Sequence, residues 1–164
     1  FGVSARGPLG GGIAYGEFGY YLSEDSGGTN PFIRNSEARV LAGYEFEAAT
    51  NFTVGVQYYL EWMMDHDEYL RNRPPTEPRR DERRHLVTLR LTRLLLNQNL
   101  MVSLFTFWSP SDRDAYFRPH VRYKLDDHWS AELGGNVFVG RDDRTFFGQF
   151  DRSSNVYGAV RYAF

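Results

Sequence analysis

Apolar and polar side chains alternate with a period of two through most of this chain, the pattern of strands whose two faces meet different surroundings. Eight such segments can be marked. In the first, roughly Gly11 to Ser23, Ala14, Gly16, Phe18, Tyr20 and Leu22 oppose Tyr15, Glu17 and Tyr21. In the second, Ser36 to Ala48, Ala38, Val40, Ala42, Tyr44 and Phe46 oppose Glu37, Arg39, Glu45 and Glu47. The third, Phe52 to Met64, sets Val54, Val56, Tyr58, Leu60 and Trp62 against Thr53, Gly55, Gln57, Tyr59 and Glu61. His85–Leu96, Leu100–Ser109, Ala115–Leu125 and Trp129–Gly140 follow. The last segment, Ser154–Phe164, places Val156, Gly158, Val160, Tyr162 and Phe164 on one face and Ala159, Arg161 and Ala163 on the other.

The connections predict how these strands are joined. Tight turns are expected at Ala49–Asn51, Asn97–Asn99 and Asp126–His128, and longer ones at Glu24–Pro31, Asp65–Arg84 and Arg141–Ser153, with Pro110–Asp114 of middle length. Short and long connections alternate, as in an antiparallel up-and-down sheet with tight turns at one end and loops at the other. Pro119, inside a segment, points to an edge, a bulge or a break. Alternation puts Val87, Leu89 and Leu91 on the apolar face and Arg90 on the other, but it also puts Arg93 on the apolar face. A bulge, or a rim position from which Arg93 snorkels, would resolve the conflict. In the first ten residues, Phe1, Val3 and Ala5 alternate, and Arg6-Gly7-Pro8 reads as a turn. This looks like the end of a preceding strand, as expected for the C-terminal half of a larger barrel; a short tail is the alternative.

The final segment is about as long as a tilted strand that crosses a bilayer, roughly 9–11 residues. With Tyr162 and a terminal Phe164, it resembles the C-terminal strand of Gram-negative outer-membrane β-barrel proteins of the porin-like kind. The resemblance implies an all-β fold: an antiparallel up-and-down transmembrane β-barrel. About eight of its strands would lie in this chain, forming a single domain over residues 1–164 within a larger barrel. It further implies that Tyr162 and Phe164 form an assembly signal read by the barrel-assembly machinery. The tight turns would be periplasmic and residues 65–84 a long extracellular loop. The implied location is the outer membrane of a Gram-negative bacterium, with the lipid bilayer and lipopolysaccharide as partners, and a homo-oligomer or a partner protein possible in addition.

Composition permits this architecture. The chain has 164 residues, 41% hydrophobic and 24% charged. Its mean hydropathy of -0.52 and lack of any run of about eighteen apolar residues exclude a helical membrane span, but not a barrel whose inner positions dilute the hydropathy. Aromatic residues make up 16%, including 11 Tyr and 13 Phe, which suits the girdles of a transmembrane barrel and also many soluble sandwiches. Cysteine is absent, whereas a secreted sandwich of this size often carries a disulfide. A net charge of -2 offers no electrostatic case for nucleic acid. The chain opens on Phe1, so a processed or partial chain is expected.

The polar faces carry the candidate chemistry. Early strands supply Glu17, Glu37, Arg39, Glu45, Glu47 and Glu61; later ones supply Arg90, Arg118, His120, Arg122, Lys124, Glu132 and Arg161. Arg118, His120, Arg122 and Lys124 form a ladder at i, i+2 spacing. A charge facing lipid near the midplane costs about 2–4 kcal/mol, so this ladder must face inward in any membrane barrel. An acidic and a basic wall would line a channel for passive diffusion of ions or small polar solutes. In a narrow barrel the same residues would instead be a salt-bridged plug, leaving a closed structural barrel or a scaffold for a partner protein. A soluble lipocalin-like binding barrel would turn the apolar faces inward. The segment Asp65-His66-Asp67-Glu68-Tyr69 lacks the spacing of a calcium loop, so no metal or other cofactor is expected. Residues 65–84 balance six acids (Asp65, Asp67, Glu68, Glu77, Asp81, Glu82) against six Arg (71, 73, 79, 80, 83, 84), which favours self-pairing over a lipopolysaccharide site. Ser109 and Ser111 lie near Asp112 with no His evidently placed to activate them, so no enzyme is expected.

Overall fold

Nine strands form a single antiparallel sheet in which every strand pairs with its neighbours in sequence: β1 (Gly2–Leu9), β2 (Gly12–Tyr21), β3 (Glu37–Ala49), β4 (Phe52–Met63), β5 (Arg83–Leu95), β6 (Leu100–Ser109), β7 (Asp114–Lys124), β8 (Trp129–Gly140) and β9 (Asn155–Tyr162). The computed structural model describes residues 1–140 and 142–164. Arg141, the first residue of the expected last loop, lies outside the described residues. No helix among the described residues is long and apolar enough to cross a membrane. Among the described residues the sheet is not closed: its order runs from β1 to β9 without a β1–β9 pairing, leaving two free edges.

Eight strands were expected and nine form, because the first ten residues make a full strand. Arg6, Gly7 and Pro8 do not turn; they pair with Tyr15, Ala14 and Ile13. Pro8 is tolerated because β1 has a free edge and need not donate on that side. The turn comes at Gly10 and Gly11, whose φ angles of +53° and +84° suit residues without a Cβ. The other tight turns use Asn51 at φ 61° and Leu96, Asn97 and Gln98 at φ 50°, 54° and 69°. All four tight turns (residues 10–11, 50–51, 96–99 and 125–128) lie at one end of the sheet. The longer connections lie at the other. That between β4 and β5 is not featureless: it begins with a short helix, α1 (His66–Asn72), and its last two residues, Arg83 and Arg84, belong to β5.

Register explains the two awkward positions. β5 carries no bulge against either neighbour, so Arg93 does lie on the apolar face. It sits near the tight-turn rim opposite Phe52, with its guanidinium 5.7 Å from that ring. Pro119 causes a break rather than a shift: Phe117 pairs with Val137 and His120 with Gly134, in the same register on either side of Arg118 and Pro119. The one register shift in the sheet falls in β3, between Glu47 and Ala49, beside a tight turn.

The pairings propagate one alternation across all nine strands. Val3, Phe18, Val40, Leu60 and the residues paired onward from them form one apolar face. That face is exposed: Leu133 shows 58% and Val156 78% of its surface, and Trp62, Trp108, Val121 and Val137 are also open. On the polar face shelter is confined to the long-loop end, where Glu37 is 4%, Asp114 2% and Ser109 0% exposed, while Glu17, Glu47, Arg90, Arg118, Arg122, Lys124 and Arg161 are exposed. Both features are unusual, since carboxylates are rarely buried unless paired, and large apolar patches are rarely left bare.

Candidate pore-lining face

The register places all of Glu17, Glu37, Arg39, Glu45, Glu47, Glu61, Arg90, Arg118, His120, Arg122, Lys124, Glu132 and Arg161 on the polar face. The alternation of each strand predicts this locally, and pairing in a single phase extends it over the sheet.

At the long-loop end the charges are tied together. Glu37 takes Arg39 at 2.8 Å and Arg80, from the loop before β5, at 3.0 Å. Arg39 also approaches Glu61 at 3.9 Å; Glu61 takes Arg84 at 3.3 Å, and Arg84 holds Asp112 at 2.6 Å. Ser109 donates to the carbonyl of His85 and contacts the Asp112 carboxylate at 2.9 Å. This chain crosses β3, β4, β5 and the β6–β7 turn. The charges of residues 65–84 are thus not simply self-paired as expected: Arg71 pairs with Glu68 inside the loop, but Arg80 and Arg84 reach wall carboxylates. Arg80, Arg84 and Asp112 escape a strand-by-strand reading because they meet these partners only through pairing and loop folding. A recess of about 900 Å³ opens among these residues and the loop residues Arg34, Arg113 and Arg144.

Further along the face the ion pairs are isolated from one another. Glu132 takes Arg161 at 2.8 Å and approaches His120 at 3.7 Å, and Lys124 pairs with Asp127 in its turn. Lys124 holds the exposed Asp127 carboxyl below its ordinary range by hydrogen bond and charge. Arg90, Arg118 and Arg122 have no carboxylate partner among the described residues, and no ion pair there joins the acidic strands β2–β4 to the basic strands β7–β9.

An aromatic cluster is the feature that sequence reasoning missed. The β8–β9 connection folds back over the polar face and buries Phe147 there. Its ring stacks on Phe107 at 5.6 Å and Tyr116 at 5.8 Å, and meets Phe146 edge-on at 4.9 Å. Tyr116 stacks on Phe138 at 4.7 Å, and Phe138 meets Phe150 at 5.5 Å. The buried Asp114 carboxyl accepts the Phe147 N–H at 2.7 Å. Phe147 therefore latches the run Thr145–Phe150 onto the polar face. The signal available was that Phe105, Phe107, Tyr116 and Phe138 have the parity of the charged residues.

The other candidate chemistries are placed as follows. The backbone N–H of His85 donates to Ser111, while its imidazole lies on the opposite face against the Tyr58 hydroxyl at 2.6 Å, so it activates neither Ser109 nor Ser111. No group of three potential metal ligands is found among the described residues, and His66 contacts the Arg80 carbonyl instead. Tyr162 ends β9 against Trp129, with centroids 4.9 Å apart, and the strand stops there rather than running to Phe164, which is fully exposed. Models of protein families, curated proteins and solved structures give no match to this chain.

Proposed function

We propose that this sheet is part of an outer-membrane, porin-like β-barrel that conducts ions or small polar solutes along its charged face. The observation that carries the proposal is the apolar face: it runs continuous and bare across the sheet, while the opposite face carries the charged side chains and, at the long-loop end, shelters Glu37 and Asp114 under the inward-folded loops. A bilayer is the medium that matches such an outer surface, and aromatic residues near strand ends, such as Trp62, Trp108, Trp129 and Tyr162, suit its interfaces. The lipocalin-like alternative needs the apolar face to be the enclosed one, and here it is the exposed one. The β1 and β9 edges run in the same direction. Antiparallel closure therefore takes an odd number of further strands between them, contributed from outside these 164 residues.

A second reading, a sealed structural barrel or scaffold, is favoured by one observation: the Glu37–Arg39–Glu61–Arg84–Asp112 chain and the latched β8–β9 connection both fill the polar side. Planar-bilayer recording on the full-length protein separates the two. A channel gives discrete conductance steps, and its ion preference moves towards cations when Arg118, Arg122 and Lys124 are replaced by Glu. A silent membrane with correctly inserted protein favours the sealed barrel.

A further inference from the structure

We infer that the polar face carries a binding site for a phosphate-type oxyanion, centred on Arg90 and Arg118. The inference rests on the reading of this face as water-accessible. Phe105 on β6 is the cross-strand partner of both arginines, Arg90 on β5 and Arg118 on β7. The two side chains thus leave the sheet at the same level, two strand spacings apart, or about 10 Å at the backbone. Arginine side chains of that reach can converge on one ligand. The Arg90 guanidinium lies 5.5 Å from the Phe105 ring, which holds its planar fork without using its N–H groups.

The surroundings supply further donors, and the nearest acid on the β4 side, Glu45, faces Arg90 across Gly55 without forming an ion pair with it. A recess of about 300 Å³ is lined by Arg90, Thr92, Ser103, Phe105, Arg118 and His120. This is at the small end of ligand-site volumes, suited to a phosphate-sized group. Thr92 and Ser103 are cross-strand partners on the floor; the Thr92 hydroxyl can donate, while that of Ser103 contacts the His120 carbonyl at 3.5 Å. Glu132, the carboxylate near His120, is already held by Arg161. Elsewhere on this face Arg39 and Arg84 are matched by carboxylates. Arg90 and Arg118 repel one another without such a partner among the described residues. An oxyanion with several acceptor oxygens removes that repulsion and satisfies both forks, as bidentate arginine–phosphate pairs do.

The test is calorimetric titration of the full-length protein in detergent with inorganic phosphate, phenyl phosphate and chloride at constant ionic strength. Saturable phosphate or phenyl phosphate binding that chloride does not reproduce is expected. Stronger binding of inorganic phosphate assigns the site to the free ion, and stronger binding of phenyl phosphate to a phosphate ester. Arg90→Gln and Arg118→Gln should each weaken binding at least tenfold, whereas Arg6→Gln, the same charge change on β1, should leave it unaltered. The inference fails if neither phosphate saturates the unsubstituted protein, or if Arg6→Gln weakens binding as much as Arg118→Gln does. Because binding is read without conductance, a sealed barrel that still binds phosphate refutes the channel and keeps the site.

Discussion

Removing the Asp114 carboxyl should release the β8–β9 connection from the polar face. Asp114 is 2% exposed, and one of its oxygens accepts the Phe147 N–H at 2.7 Å, while the other has no protein partner. Asp114→Ala deletes the acceptor and leaves the Phe147 N–H buried and unsatisfied. A hydrogen bond of this kind contributes about 1–3 kcal/mol, the upper end applying to a charged acceptor. At about 1.4 kcal/mol per factor of ten, the released population should rise roughly five- to 150-fold. Asp114→Asn keeps an acceptor oxygen and should fall between the two. Amide hydrogen exchange at Phe147, with limited proteolysis of residues 142–153, reads the change directly. The stacked rings of Phe107 and Tyr116 remain in both variants, so a small effect would assign the latch to them. Unchanged Phe147 exchange in Asp114→Ala refutes the hydrogen bond as the latch.

Two further outcomes are expected. Val56→Arg, in the middle of β4 on the exposed apolar face, should lower folding stability in lipid vesicles by about 2–4 kcal/mol, against little change for Gln57→Arg on the opposite face; equal costs for both would remove the case for a lipid-facing surface. The exposed β2–β3 loop should stay ordered from neutral pH down to the usual carboxylate range and loosen only below it. The Asn30 N–H at 2.5 Å, helped by Thr29, holds Asp25 below its ordinary value, so its stabilising contribution is complete above the unfolded-state pKa and is lost as pH falls through the folded one. Amide exchange at Asn30 followed against pH checks this, and loosening between pH 5 and 7 contradicts it.

Much of the architecture was legible from local alternation. Because side chains reverse face at every residue, Glu17 and Phe18, or Arg122 and Val121, declare their sides without any knowledge of partners. Asn51 marks a reversal as expected, whereas Arg6-Gly7-Pro8 misled by resembling a turn inside an edge strand and the reversal falls at Gly10-Gly11. The rim position of Arg93 and the break at Pro119 were open between alternatives until pairing showed the register.

The sequence by itself determined eight of the nine strands, their two faces and the side on which the candidate lining charges lie, since each follows from the period-two geometry of one strand. Only the tertiary structure decided that Arg80 and Arg84 reach Glu37 and Glu61, that Phe147 latches inward over Tyr116, and that Arg90 and Arg118 flank Phe105 on the neighbouring strands. Those contacts join residues distant along the chain, and their partners are chosen by strand register and loop folding, which no local period encodes.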